Sequence, residues 1–245
     1  MTDKLQLAKE KIIVALDVDK VEEALALTDK LSPYVGMFKV GMQLFYKAGP
    51  EVVRHIKKEG VKVFLDLKLH DIPNTVGQAA RVLTGLGADI INVHAAGGTS
   101  MMRSAVEAVK GSAVAMNIPV PMVISVTVLT SIDQNIFNQE VGIQGEIKNR
   151  VRTWSLLTKD SGLDGVVASP QEISIIREAC GKDFKIITPG IRPTWAAAGD
   201  QRRIMTPAEA VLHGASYLVV GRPITGAQDP VLAAQKIQSE IAEVL

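Results

Sequence analysis

The stretch Val61-Lys62-Val63-Phe64-Leu65-Asp66-Leu67-Lys68 has the β-branched and aliphatic residues of a buried strand, with charged residues at its carboxyl end. Side chains alternate between the two faces of a strand, so the odd-numbered residues form a wholly aliphatic face. That face suits packing against helices. The even-numbered face predicts that Asp66 and Lys68 point into the fold at the end of the strand.

Seven further runs of this kind occur along the chain, and amphipathic segments with a helical pattern, such as Val21–Leu31, separate them. The eight runs are Ile12–Leu16, Met37–Gly41, Val61–Lys68, Asp89–His94, Val120–Val128, Gly165–Ala168, Lys185–Thr188 and Tyr217–Gly221. A strand followed by a helix, eight times within 245 residues, predicts a (β/α)8 barrel formed by a single domain over residues 1–245. A doubly wound open sheet is the structural alternative.

The composition is that of an ordinary globular protein and favours neither nucleic acid nor a membrane as partner. Hydrophobic residues make up 47% and charged residues 22% of the chain, which is ordinary globular composition. Lys and Arg number 27 against 26 Asp and Glu, so the net charge of +1 gives no reason to expect nucleic acid or a membrane as partner. No apolar run has the length of a signal-peptide core or a membrane span, and we expect a cytoplasmic protein.

Charged residues also lie on the inward sides of the first two predicted strands. By the same alternation, Asp17 ends the inward face of the first strand and Lys39 lies on the inward face of the second. We therefore expect Asp17, Lys39, Asp66 and Lys68 to converge at the carboxyl end of the barrel, where barrel enzymes carry their active sites. Two acids and two bases can compensate one another in a buried site. The alternatives are a structural ion-pair network and four solvated strand ends.

The loops after the seventh and eighth strands carry glycine next to arginine, at Gly190-Ile-Arg192 and Gly221-Arg222. Barrels often bind phosphate on these two loops, where glycine lets backbone N–H groups approach an anion and arginine binds it bidentately. Two longer segments, Ser131–Glu146 and Arg192–Arg203, follow the fifth and seventh strands and are candidate lids.

Several common chemistries have no signature in this sequence. It contains no Gly-x-Ser-x-Gly elbow, His-Glu-x-x-His motif, Walker A loop or dinucleotide-binding glycine motif. A single cysteine, Cys180, excludes an intramolecular disulfide and a cysteine-rich metal site. Of the four histidines, His94 at the end of the fourth strand is a candidate pocket residue, and His70 a candidate loop or outer-sphere residue.

The segment from Phe64 to Thr75 carries Asp66-x-Lys68-x-x-Asp71 followed by Ile72-Pro-Asn-Thr75, and it resembles the signature of the orotidine 5'-monophosphate decarboxylases. The short Asp-x-Lys-x-x-Asp core is shared with a related phosphosugar family, but the extended form is specific. Further similarity follows in order along the whole chain. It covers Ala15-Leu-Asp17, Phe38-Lys39-Val-Gly41, Leu129-Thr130-Ser131, Thr188-Pro-Gly190-Ile-Arg192-Pro193 and Val220-Gly221-Arg222-Pro223.

The resemblance implies loss of CO2 from C6 of the orotate ring to give UMP, without a metal or an organic cofactor. It implies that Asp17 and Lys39 contact the ribose hydroxyls and that Lys39 also holds Asp66. Asp66 then lies against the departing carboxylate, and Lys68 protonates C6. Flanking carboxylates favour the charged form of Lys68, and a fixed ammonium group stabilises a carbanion by preorganised electrostatics.

The resemblance further implies a homodimer in which Asp71, Ile72 and Thr75 complete the neighbouring subunit's site. From the residues alone, Asp71 is also a candidate helix cap, because Pro73 suits a first helical position. The implied substrate contacts beyond the acid–base array are Thr130 after the fifth strand, Arg192 and Gln201 in the lid, and Gly221 with Arg222 at the 5'-phosphate.

Two rival functions remain at this point. A Mg²⁺-dependent decarboxylase or aldolase acting on a keto-sugar phosphate shares the barrel and the short motif, but it has a metal-binding acid on the second strand, where this chain has Lys39. A barrel that binds a phosphorylated ligand without turnover is the second rival.

Overall fold

The computed structural model describes residues 3–196 and 204–245. Within these ranges, eight parallel strands close into a barrel in sequence order, with the last strand paired to the first. The strands are β1 Ile12–Ala15, β2 Met37–Gly41, β3 Lys62–Leu69, β4 Ile90–His94, β5 Met122–Val126, β6 Gly165–Val167, β7 Lys185–Thr188 and β8 Tyr217–Val220. Each lies in one of the eight predicted runs or overlaps it. The (β/α)8 barrel is therefore confirmed, and the open sheet is not formed.

Helices follow the strands and surround the barrel. They are α1 Asp3–Lys11, α2 Val21–Leu31, α3 Met42–Ala48, α4 Glu51–Lys58, α5 Pro73–Thr84, α6 Gly98–Met116, α7 Gln134–Gln139, α8 Ile147–Asp160, α9 Ile173–Cys180, α10 Pro207–Leu212, α11 Arg222–Thr225 and α12 Pro230–Glu243. Short 3₁₀ turns occur at Ala95–Gly97 and Pro170–Glu172. The helix α7 lies within Ser131–Glu146, the first of the two candidate lids. Its start is capped by Asp133, whose carboxylate accepts the Ile136 N–H.

The strands bury both faces, which explains their dense aliphatic composition. The barrel interior holds a compact apolar cluster of Ile13, Ala15, Met37, Phe64, Ile90, Ile124, Ile187 and Val219. The opposite faces of the strands, including Val63 and Leu65, pack against the helices in a larger outer core. The interior cluster fills the middle of the barrel, and polar side chains are left at its two ends.

The amino-terminal end of the barrel is held together by polar side chains just before the even-numbered strands. The Asp89 carboxylate accepts the Val63 N–H at 2.7 Å, and the Asp164 carboxylate accepts the Val123 N–H at 2.8 Å. Lys57 forms an ion pair with Asp89 at 2.7 Å. These contacts join neighbouring strands at the end of the fold that faces away from barrel active sites, so their role is structural.

Pairing between β3 and β4 is irregular at one point that matters for the site. Leu65 pairs with Ile91 and Leu69 pairs with Val93, so three residues of β3 lie opposite Asn92 alone. Such a bulge bends a strand and re-aims its side chains. Lys68, inside the bulge, has a φ of 53°, in the left-handed region that non-glycine residues rarely adopt.

None of the helices in residues 3–196 and 204–245 combines the length and apolar character that crossing a bilayer requires.

Candidate active site

A cavity of about 400 Å³ opens at the carboxyl ends of the strands. Its volume is in the range of pockets that enclose a small organic ligand. Its lining comes from β1, β2, β3, β5, β6 and β8 and from the segments that follow β1, β5, β6, β7 and β8. The lining includes Asp17, Lys39, Asp66, Lys68, Thr130, Gly190, Arg192, Gly221 and Arg222.

Four charged side chains form a continuous chain along one wall of this cavity. The Lys39 ammonium contacts an Asp17 carboxylate oxygen at 3.0 Å and Asp66 Oδ2 at 3.4 Å. The Lys68 ammonium contacts Asp66 Oδ1 at 2.7 Å. Signs therefore alternate from Asp17 through Lys39 and Asp66 to Lys68. The structure brings together the four residues that the strand pattern placed at one point.

Burial differs along this chain of charges. The side chains of Lys39 and Asp66 are only 10% and 12% exposed, whereas Asp17 is 54% exposed at the cavity rim. Burial alone would raise the pKa of Asp66, because it penalises the charged form. The charges of Lys39 and Lys68, with hydrogen bonds from Lys68 and Asn92, outweigh burial and hold the pKa of Asp66 below its ordinary value. Asp66 is thus kept ionised inside the barrel.

The absence of a side chain at Gly41 leaves space for the charged groups of Lys39 and Asp17. A Cβ atom on Gly41 would lie 2.8 Å from Lys39 Nζ and 3.2 Å from a carboxylate oxygen of Asp17. Any larger residue there would push the ammonium group away from Asp17. Glycine at the end of β2 therefore has a reason in the packing of the charges.

Asn92 was not among the residues singled out from the sequence. It lies in the middle of β4, fully buried, and its amide donates to Asp66 Oδ1 at 2.7 Å. Its side-chain oxygen accepts the Lys68 backbone N–H at 2.8 Å. The signal in the sequence was an amide side chain on the inward face of the run Ile90-Ile-Asn92-Val-His94, between the apolar Ile90 and His94.

His94 is not among the cavity-lining residues. Its ring lies against His70 at a centroid distance of 5.3 Å. Burial, with smaller contributions from the charges of His70 and Lys68, lowers the pKa of His94 to about 4. His94 is therefore a neutral side chain behind the array near pH 7, and its expected place in the pocket is not observed.

The loops after β7 and β8, on the other side of β1 from β2, hold the residues predicted to bind phosphate. Gly190, with a φ of 78°, and Arg192 follow β7, and Gly221 and Arg222 follow β8. Arg192 is only 8% exposed, and it donates to the Ile191 carbonyl oxygen at 2.8 Å. Thr130 lines the cavity after β5. This side thus offers two guanidinium groups and glycine-containing backbone to an anion.

The residues on either side of the predicted lid Arg192–Arg203 are hydrogen-bonded to each other. Ile191 and Met205 form a parallel bridge, and the Arg192 N–H donates to the Met205 carbonyl oxygen at 3.0 Å. The two ends of the segment therefore meet beside the cavity. Gln201, the lid residue singled out from the sequence, lies outside the described residues.

Asp71, Ile72 and Thr75 do not line the cavity of their own chain. All three are exposed, and Ile72, an apolar residue, is 67% exposed. The helix α5 begins at Pro73 as expected, with Ile72 in the cap position and no side-chain cap. Asp71 is therefore not the capping residue, although its carboxylate accepts the Ile72 N–H at 2.7 Å.

Among the described residues, no group of three or more His, Cys, Asp or Glu side chains is arranged to hold a metal ion. The inward position of β2 that would supply such an acid holds Lys39, which is engaged with Asp17 and Asp66.

Known proteins are similar to this chain in sequence over nearly its whole length. A protein named orotidine 5'-phosphate decarboxylase from Moorella thermoacetica is 58% identical over 237 residues, covering 97% of this chain and 94% of that protein. One of the same name from Syntrophomonas wolfei is 54% identical, covering 96% and 99%.

Solved structures share the fold. The crystal structure of orotidine 5'-phosphate decarboxylase from Lactobacillus acidophilus superimposes with a TM-score of 0.82 at 40% identity, covering 94% of this chain and 98% of that chain. The enzyme of the same name from Pyrococcus horikoshii gives a TM-score of 0.74 at 32% identity, with the same coverage of both chains. The sequence model of the orotidine 5'-phosphate decarboxylase / HUMPS family matches residues 10–237, and the chain belongs to this family.

Proposed function

We propose that this chain converts orotidine 5'-monophosphate to UMP by a mechanism in which Lys68 protonates C6 of the pyrimidine ring beside Asp66. The reaction itself, a step of pyrimidine biosynthesis, follows from the family and from close relatives named for it. The observation that carries the mechanism is the alternating chain of charges from Asp17 to Lys68, which lines a ligand-sized cavity that Arg192 and Arg222 also line.

The chemical difficulty is the electron pair left on C6. When the bond from C6 to the carboxylate breaks, CO2 departs and its bonding electrons stay on the ring carbon. The Lys68 ammonium stabilises that charge by preorganised electrostatics and then transfers one N–H proton to C6. Lys68 becomes a neutral amine, and it regains a proton from solvent after UMP leaves.

Asp66 fixes the donor and opposes the leaving group. Its Oδ1 atom contacts the Lys68 ammonium at 2.7 Å, which sets where the proton source lies. Because its pKa is held low, Asp66 is an anion when the substrate carboxylate binds against it. This like-charge contact is relieved as neutral CO2 departs, so it favours the transition state over the bound substrate.

The remaining contacts orient the nucleotide. Asp17 and Lys39 are placed to hydrogen-bond the ribose hydroxyls, and Thr130 to lie beside the substrate. Arg222 and the Gly221 N–H bind the 5'-phosphate, with Arg192 and Gln201 in the segment that closes over it. Binding energy from the phosphate then contributes to closure and to the reaction at the distant ring.

The proposed mechanism needs no metal or organic cofactor, because Lys68 supplies both the positive charge and the proton. The test is UMP formation from orotidine 5'-monophosphate by purified protein treated with EDTA. Turnover is the expected result. Activity only on a keto-sugar phosphate, and only after Mg²⁺ is restored, would refute the proposed function, and so would binding of the nucleotide without product.

The proposed partner is a second copy of this chain. Asp71 and Thr75 lie outside their own cavity, next to an exposed apolar Ile72, which suits residues that complete a neighbour's site. In a symmetric dimer each copy supplies the same residues to the other.

Subunit complementation tests this arrangement. K68A and D71A chains are each expected to be inactive and to recover activity when unfolded together and refolded as a mixture. Random pairing leaves about a quarter of all sites with an intact lysine from one chain and an intact aspartate from the other. If Asp71 served its own chain, no mixed dimer would contain a complete site, and the mixture would stay inactive.

A further inference from the structure

Asn92 contacts both members of the pair that the proposed mechanism uses. Its Nδ2 atom donates to Asp66 Oδ1, and its Oδ1 atom accepts the backbone N–H of Lys68. Only one orientation of the amide satisfies both bonds, because the carboxylate can only accept and the N–H can only donate. The side chain is fully buried, so water does not compete for either bond.

The irregular pairing of β3 with β4 gives these bonds a specific role. Residues 66 to 68 lie opposite Asn92 alone, so the regular ladder is interrupted at this point. The Asn92 side chain accepts the N–H of Lys68 there. Lys68 is held at a φ of 53°, a strained conformation that persists only where its surroundings impose it.

We infer that Asn92 is a positioning residue for decarboxylation, which fixes Asp66 through its amide group and the Lys68 backbone through its oxygen. It is not among the residues that line the cavity, so it acts through these two partners and not on the substrate. This inference rests on the proposed roles of Asp66 and Lys68.

The isosteric variant N92D separates positioning from packing. Its new carboxyl group, when protonated, can donate to Asp66 and accept from Lys68 as the amide does. When ionised, it has no donor and places a second negative charge against Asp66. The charge of Asp66 raises the pKa of the new group, so the active, protonated form is favoured at lower pH.

Other titratable groups near this position do not imitate that behaviour. Lys39 and Lys68 contact Asp66 from β2 and β3 in the parent and the variant alike. On β4 itself, His94 has a pKa of about 4, and His70 lies beyond it. The strand β5 on the other side, Met122–Val126, carries no ionisable side chain. Dividing the variant's kcat by the parent's at each pH removes the titrations that both share.

The experiment measures kcat and KM for orotidine 5'-monophosphate from about pH 5 to 9. At pH 8, N92D is expected to lose about 10- to 100-fold in kcat, because displacing a reacting group by about 1 Å can cost about 100-fold, with KM changed by less than about threefold. The ratio of its kcat to the parent's is expected to rise as the pH falls. A ratio near one at every pH, or a reduced ratio that does not change with pH, overturns the inference.

Matched controls distinguish misplacement from instability. D164N makes the reverse exchange at the opposite end of the barrel, where Asp164 accepts a backbone N–H, and its kcat ratio is expected to stay near one and flat. N92A and D164A each delete one such side chain, and should N92D fail to fold, they decide the question. Loss of kcat in N92A alone supports the inference, and equal loss in both overturns it. A parent enzyme that forms no UMP would instead refute the proposed function.

Discussion

Replacing Lys39 with methionine removes one of the two cations that hold Asp66 ionised, while it keeps most of the side chain's length. Lys39 and Asp66 are both almost fully buried, and their charged atoms are 3.4 Å apart. Removing one partner of a buried ion pair costs about 3–5 kcal/mol when nothing else compensates the other. Asp66 keeps Lys68 and Asn92, each at 2.7 Å, so we expect K39M to lose about 2 kcal/mol of stability.

This loss corresponds to a fall in Tm of about 4–8 °C for a domain of this size. It has a defined pH dependence. Because the pKa of Asp66 is lowered in the folded state, its ion pairs contribute fully above the unfolded pKa of about 3.9 and are lost as the pH falls through the folded value. The difference in Tm between parent and K39M should therefore be largest near neutrality and shrink in acid.

Scanning calorimetry at a series of pH values, with UMP formation measured in parallel, tests these expectations. The matched control is K57M, which breaks the more exposed Lys57–Asp89 pair at the other end of the barrel. K57M is expected to cost at most about 1 kcal/mol and to keep its kcat, whereas K39M should lose about 100-fold in kcat through misplacement of Asp66. A K39M enzyme with parental kcat, or a Tm difference that is constant with pH, would refute the reasoning.

Two further outcomes follow from the cavity and its surroundings. R222A should reduce kcat/KM for orotidine 5'-monophosphate by about 10- to 100-fold, because it removes a charged contact to the phosphate. It should leave kcat/KM for orotidine, which has no phosphate, unchanged. Equal losses on both substrates would rule out a phosphate contact. The pKa of His94 is lowered from 6.5 to about 4 on folding, so the parent should lose stability as the pH falls from 6.5 towards 4, and H94Q should lose less. Denaturant unfolding of both proteins at each pH measures this. If the free energy of unfolding had the same slope against pH in both proteins, the prediction would be wrong.

Local pattern was sufficient to predict the barrel. Runs such as Met37–Gly41 are short, and the alternation of side chains within them does not depend on the rest of the fold. The same alternation predicted that Lys39 and Asp66 face one cavity. The fifth strand begins later than expected, at Met122, because Pro121 has no N–H to donate to a neighbouring strand.

Features that depend on how β3 pairs with β4 could not be predicted from the local sequence pattern. The bulge in β3 and the left-handed backbone of Lys68 arise from its pairing with β4, and no local pattern in Asp66-Leu-Lys68 signals them. Asn92 matters because it lies opposite that bulge. His94 follows the inward alternation of β4, but it ends against His70 behind the array.

The most direct test of the account is the K68A enzyme, assayed for both UMP binding and UMP formation. Lys68 is proposed as the proton donor and the stabilising charge, so we predict that K68A loses at least about 10³-fold in kcat while UMP binding changes little. K62A, from the exposed start of the same strand, is the control and should keep parental kcat. A folded K68A enzyme that forms UMP at a rate near the parent's would contradict the role of Lys68 as the proton donor.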